Sequence, residues 1–120
     1  MITHVKLVTI PTGDQDRSLD FYTAKLGFKL VTDQPFDGKQ RWIELRIGSS
    51  DTRFVLFTSP GGIQPGSRFQ GSLACDDVEK TFEQLSRQGV EFLQAPRKEP
   101  WGTYAIMKDP DDNQFVLSSR

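Results

Sequence analysis

The chain carries one cysteine, one histidine and no surplus of charge of either sign. Cys75 alone cannot close an internal disulfide, which points to a reducing compartment and a cytoplasmic protein. His4 alone provides no HExxH pair, no two-histidine zinc finger and no Ser-His-Asp triad. Fifteen basic side chains against sixteen acidic ones leave a net charge of −1. That balance speaks against a nucleic-acid partner and against a polybasic membrane face. No apolar run approaches the roughly eighteen residues of a membrane span, and MITHVKLVTIPTGD has neither an apolar leader core nor a cleavage pattern. What is present is bulk: nine Phe and two Trp among 120 residues exclude a disordered chain and suffice for one folded domain.

The sequence repeats itself at a period near sixty residues. An alternating run over about 2–10 precedes DQDRSLDFYTAKLGFKLV, and another over about 68–75 precedes DDVEKTFEQLSRQGVEFL. Leu19, Tyr22 and Leu26 recur at helical spacing in the first, as do Val78, Phe82 and Leu85 in the second. Asp14 and Asp16, then Asp76 and Asp77, stand where helix N-termini favour acids. Gly27 and Gly89 stand where the helices should stop. Strands are expected at about 28–33, 40–48 and 53–58, and again at about 90–95, 102–108 and 114–119. The expected organisation is one domain over 1–120. Module one covers about 1–58, a Pro/Gly/Ser linker 59–67, and module two about 68–120.

Alternation sorts side chains between faces. Val5 and Leu7 are expected on one side of the first strand, and His4, Lys6 and Val8 on the other. Ile43, Leu45 and Ile47 are expected in the core, with Trp42, Glu44 and Arg46 opposite. Phe69, Leu73 and Cys75 should face a helix, leaving Gln70, Ser72 and Ala74 opposite; Phe115 and Leu117 should be core, leaving Gln114, Val116 and Ser118. Each half thus has a second, more polar face, and two such faces curving together would line a cleft for a small molecule.

THVKLVTI, DRSLDFYTAKLGFKL, LACDDVEKTFEQL and the closing DPDDNQFVL, in that order, resemble the vicinal oxygen chelate superfamily of glyoxalase I, bleomycin-resistance proteins and extradiol dioxygenases. The resemblance implies an α+β fold of two tandem βαβββ modules forming a curved mixed sheet around a central cleft, commonly in a homodimer. It further implies metal ligands at four strand positions, two per module. These fall on His4, Glu44, Gln70 and Val116. A His4, Glu44 and Gln70 set would suit Zn, Ni, Mn or Fe(II). Valine at the fourth position supplies neither a ligand nor a proton-transfer base, so Glu44 is left as the candidate catalytic group.

Each of these residues also has an ordinary explanation. His4 can bond to backbone or water, Glu44 can pair with Lys6 or Arg46, and Gln70 can contact substrate. Lys6, Trp42, Arg46, Trp101, Tyr104 and Val116 are the other expected cleft residues, with Phe36 as a further candidate aromatic. Lys6, Arg41 and Arg46 hint at an anionic ligand. DPDDN lacks the Gly and Glu of a calcium loop and reads as a turn, and Cys75 reads as packing. Two functions follow: a metal-dependent lyase, isomerase or dioxygenase, or a metal-free protein that holds a small molecule or drug.

Overall fold

The computed structural model describes residues 1–58 and 68–119, and the expected linker at 59–67 lies outside the described residues. The chain divides into two compact units, Met1–Ser67 and Arg68–Arg120.

In the first unit, β1 (Leu7–Pro11) leads into α1 (Gln15–Asp20), whose last turns widen into a π-helical stretch over Phe21–Lys25. Three strands follow: β2 (Lys29–Asp37), β3 (Gln40–Arg46) and β4 (Arg53–Phe57). They form a sheet in the order β1-β4-β3-β2, with β1 parallel to β4 and the other neighbours antiparallel. The second unit repeats the plan. β5 (Gln70–Cys75), α2 (Val78–Arg87), β6 (Glu91–Glu99), β7 (Gly102–Lys108) and β8 (Gln114–Ser119) give a sheet in the order β5-β8-β7-β6.

The helices begin and end as their sequences dictate. The Asp14 carboxylate accepts from the Arg17 amide at 3.0 Å, and Asp77 accepts from Lys80 at 3.0 Å, each satisfying a free amide of the first turn. Gly27 and Gly89 take φ of 78° and 88° just past the two helical segments, a conformation that costs glycine nothing. In the π-helical stretch the Thr23 hydroxyl donates to the Leu19 carbonyl at 2.7 Å, occupying an acceptor that the wider turn releases. The change of pitch shifts the buried stripe. Ser18, Phe21 and Tyr22 are buried, while Leu19 and Leu26 are only half-buried.

One face of each sheet packs on its helix. Ile10, Tyr22, Phe28, Ile43, Leu45, Phe54 and Leu56 form the first core, where Phe28 contacts the rings of Tyr22 and Phe54. Gln15 anchors α1 to the strand ends: its amide donates to the Arg41 and Leu56 carbonyls at 2.8 and 2.9 Å. Val78, Leu85, Ala105, Met107, Phe115 and Leu117 form the second core. In the DPDDN turn, Asp109, Asp111 and Asn113 are buried, and Pro110 and Asp112 are exposed. Asp109 accepts from the Asp111 and Asn113 amides and from Asn113 Nδ2, and Asn113 Oδ1 accepts from the Phe69 amide at 2.7 Å, tying the turn to the start of β5.

Several expected boundaries shift. β1 begins at Leu7, so His4 and Lys6 precede it, exposed, and Val5 is 59% exposed. Lys6 keeps one bond to β4, its carbonyl accepting from the Arg53 amide at 3.0 Å, and the residues before it precede the strand pairing. Within β1 the core side belongs to Val8 and Ile10, which pair with the core residues Phe54 and Leu56, so Leu7 faces away from the helix. Ile47 falls after β3 and is exposed. β2 and β6 run past Pro35 and Pro96 to Asp37 and Glu99, because edge strands tolerate a residue without an amide proton.

Asn113 holds two buried groups at once. Asn113→Ala removes the side-chain acceptor of the Phe69 amide and a side-chain donor to Asp109, and should lower unfolding free energy by about 3 kcal/mol in urea titrations.

Candidate functional site

The strand register decides which side chains share the face of the first sheet that points away from α1, because directly paired residues project to the same side. Three rows result. Thr9 pairs with Val55, Val55 with Glu44, and Glu44 with Thr32. Toward one end, Pro11 pairs with Phe57, and Trp42 with Gln34. Toward the other, Leu7 pairs with Arg53, Arg53 with Arg46, and Arg46 with Lys29.

The Phe57 row carries an aromatic cluster. Trp42 lies 5.8 Å from Phe36 and 6.0 Å from Phe57 between ring centroids, and Phe36 meets Phe57 edge-on at 5.5 Å. Phe36 is 60% exposed, so the cluster presents apolar ring surface to its surroundings. Glu44 occupies the middle row. Its Oε1 accepts from Trp42 Nε1 at 2.8 Å, and its Oε2 lies 3.9 Å from Arg53 Nε. The carboxylate therefore fixes the indole and stands beside a guanidinium. Arg41 is committed elsewhere: Asp33 and Asp16 bind its guanidinium at 3.0 and 2.7 Å and raise its pKa further.

Of the residues expected in the site, Trp42, Glu44 and Arg46 share this face of β3. His4 and Lys6 lie ahead of the ladder, and the His4 ring sits 3.0 Å from the Thr3 hydroxyl. Gln70, Val116, Tyr104 and Trp101 belong to the second unit, where Trp101 stacks on Tyr104 at 5.6 Å. Arg53, Phe57 and Lys29 were missed by sequence reasoning. The alternation of Arg53, Val55 and Phe57 in RFVLFT was the available signal, masked by the apolar character of the whole segment.

The two registers superimpose. Leu7 opposite Arg53 and Gln70 opposite Gln114 are equivalent pairs, as are Glu44 opposite Val55 and Ile106 opposite Val116. Through the repeat, then, Gln70 corresponds to Leu7 and Val116 to Val55, whereas Glu44 corresponds to Ile106.

With the fold and this register in place, comparison with known proteins is decisive for the family. The profile of the Glyoxalase/Bleomycin resistance protein/Dioxygenase superfamily matches residues 2–117. The chain belongs to that superfamily. It is 33% identical over 98% of both chains to YetH, an uncharacterized protein of Bacillus subtilis (strain 168). It is 32% identical to a probable chloroplastic lactoylglutathione lyase of Arabidopsis thaliana, over 94% of this chain and 35% of that one. Among solved structures, TnmS3, an antibiotic binding protein from Streptomyces sp. CB03234, is 37% identical, covers 98% of this chain and 96% of its own, and superimposes with a TM-score of 0.85.

Metal use, frequent in this superfamily, can be tested against the donors present. No group of three His, Cys, Asp or Glu side chains stands together among the described residues. Glu44 is engaged by an indole N–H and lies beside Arg53, and the cations Arg46 and Arg53 would repel a divalent ion. These donors do not fit a divalent metal. Burial pushes the Cys75 thiol pKa up, which disfavours the thiolate.

In equilibrium dialysis with Zn²⁺ or Ni²⁺, His4→Ala and Glu44→Gln should bind as much metal as the parent protein. Stoichiometric metal lost in either variant would restore the chelate assignment.

Proposed function

We propose that this protein binds a small molecule with a planar aromatic part on the open face of its first sheet, without a metal. The observation that carries the reading is the Phe36, Trp42 and Phe57 cluster, three rings in mutual contact with Phe36 projecting 60% exposed. Rings so placed gain little as a core, yet they offer a flat partner ring edge-to-face and stacked contacts. Glu44 supports the arrangement by holding the indole nitrogen at 2.8 Å, which limits rotation of the Trp42 ring before any ligand arrives. The likeness to an antibiotic binding protein at 37% identity supports the same reading.

The metal-dependent lyase, isomerase or dioxygenase reading draws its support from the lyase relative, but it lacks a fitting donor set in these residues. Glu44 as a catalytic base would have to surrender both the indole and the guanidinium. In the binding reading it is a positioning residue.

A neutral fluorescent probe, 1-pyrenebutanol, tests the proposal through the change in the probe's own emission on binding. Trp42→Ala and Phe57→Ala should each weaken its binding by roughly tenfold, the size expected for losing one aromatic contact and its buried area. Their circular dichroism should stay native. Equal affinity in parent and both variants, or no binding by the parent, would remove the aromatic face as the site.

A further inference from the structure

The row beyond Glu44 is built of like charges. Lys29, Arg46 and Arg53 stand directly opposite one another on adjacent strands β2, β3 and β4. Facing cations on neighbouring strands destabilise a sheet. Glu44 is the one carboxylate among the residues of the three rows, and it reaches only Arg53, at 3.9 Å. Arg46 Nε is buried and has no hydrogen-bond partner among the described residues. An orphaned, charged N–H of that kind is costly unless something accepts from it.

The second unit supplies an internal comparison. The equivalent row there is Gln70, Gln114, Lys108 and Glu91. Its single cation is neutralised twice, by Glu91 at 3.2 Å and Asp112 at 3.3 Å. The same backbone plan therefore accommodates a compensated row, and the first unit departs from it by two further cations, Arg53 in place of Gln114 and Lys29 in place of Glu91, and so by the loss of that carboxylate.

We infer that Lys29, Arg46 and Arg53 form an anion-binding row, so that the ligand of the open face carries an acidic group, carboxylate or phosphate, in addition to its planar aromatic part. This rests on the aromatic reading above and adds its second recognition element. Trp42 and Arg46 are four residues apart on one strand, about 13 Å between backbone positions, and the long cationic side chains reach back over part of that distance. The acid would accept from the Arg46 guanidinium in a charge-assisted bond, while the rings hold the planar group. Glu44, between the two, opposes the anion, so the face discriminates by the balance of three cations against one carboxylate.

The test compares 1-pyrenebutanoate with 1-pyrenebutanol, which share a skeleton and differ in charge. At low salt the acid should bind the parent protein about tenfold tighter or more, a margin typical of charge-assisted contacts, and this preference should shrink as salt is raised. Arg46→Gln should reduce the preference and the triple variant Lys29→Gln/Arg46→Gln/Arg53→Gln should abolish it, with alcohol binding retained. Glu44→Gln should enlarge it, and Lys108→Gln in the other sheet should leave it unchanged. Equal affinity for the two probes in the parent at low salt, or an unchanged preference in the triple variant, overturns the anion row and leaves the aromatic site standing. Loss of both probes from the parent overturns both. Should the triple variant fail to fold, the salt dependence of the parent's preference decides: no dependence overturns the row.

Discussion

The pairing of β4 between β1 and β3 is the constraint on which the rest of this site depends. Val55 lies opposite Thr9 on one side and Glu44 on the other, and that single row sets the phase of both strand partners. Because side chains alternate, a slip of β4 by one residue would send Phe57 and Arg53 into the helix-covered core and bring Phe54 and Leu56 out. Phe54 and Leu56, 9% and 0% exposed, would lose their core contacts while half-buried Arg53 entered the core, which makes such a slip costly even though Val55 is buried on the other face. Hydrophobic burial on one face thus places the chemistry on the other.

Much of the fold was legible before any coordinates. Both helices, their Asp14 and Asp77 caps, their glycine stops and the matched order of strands follow from local patterns that need no tertiary information. The failures share a cause. At residues 2–6 and in the extensions of β2 and β6, strand formation depends on whether a neighbour offers a ladder, and periodicity does not report that. The site was legible only in part for the same reason. Trp42, Glu44 and Arg46 share a strand, so their common face could be read from spacing of two; the Phe57 and Arg53 neighbours belong to another strand and required the register.

The repeat makes the two halves comparable residue by residue, and they have diverged most on their open faces. Core equivalents keep their character: Leu45 and Met107, and Phe54 and Phe115, occupy matching pair positions. On the open faces, Trp42 matches the aromatic Tyr104, yet Glu44 matches Ile106 and Lys29 matches the oppositely charged Glu91. Conservation of packing with exchange of charge is the pattern expected when one scaffold is kept and its exposed face is put to different uses.

A cationic row carries an energetic argument of its own. Each opposed like-charge pair costs on the order of a few tenths of a kcal/mol in a sheet, and a buried unmet N–H adds more. Replacing Lys29 with an acid, as at Glu91 in the second sheet, would turn one of the two repulsive pairs into an attractive one, so nothing in the backbone plan demands all three cations. Glu44 cannot be the compensating design, because its nearer oxygen is spent on the Trp42 indole and the other stands 3.9 Å from a single arginine. The first sheet therefore retains a local cost that its own repeat avoids. A cost confined to the row beside the exposed rings, and absent from the equivalent row where no aromatic trio stands, has a physical rationale when an acidic group on the ligand cancels the repulsion upon binding.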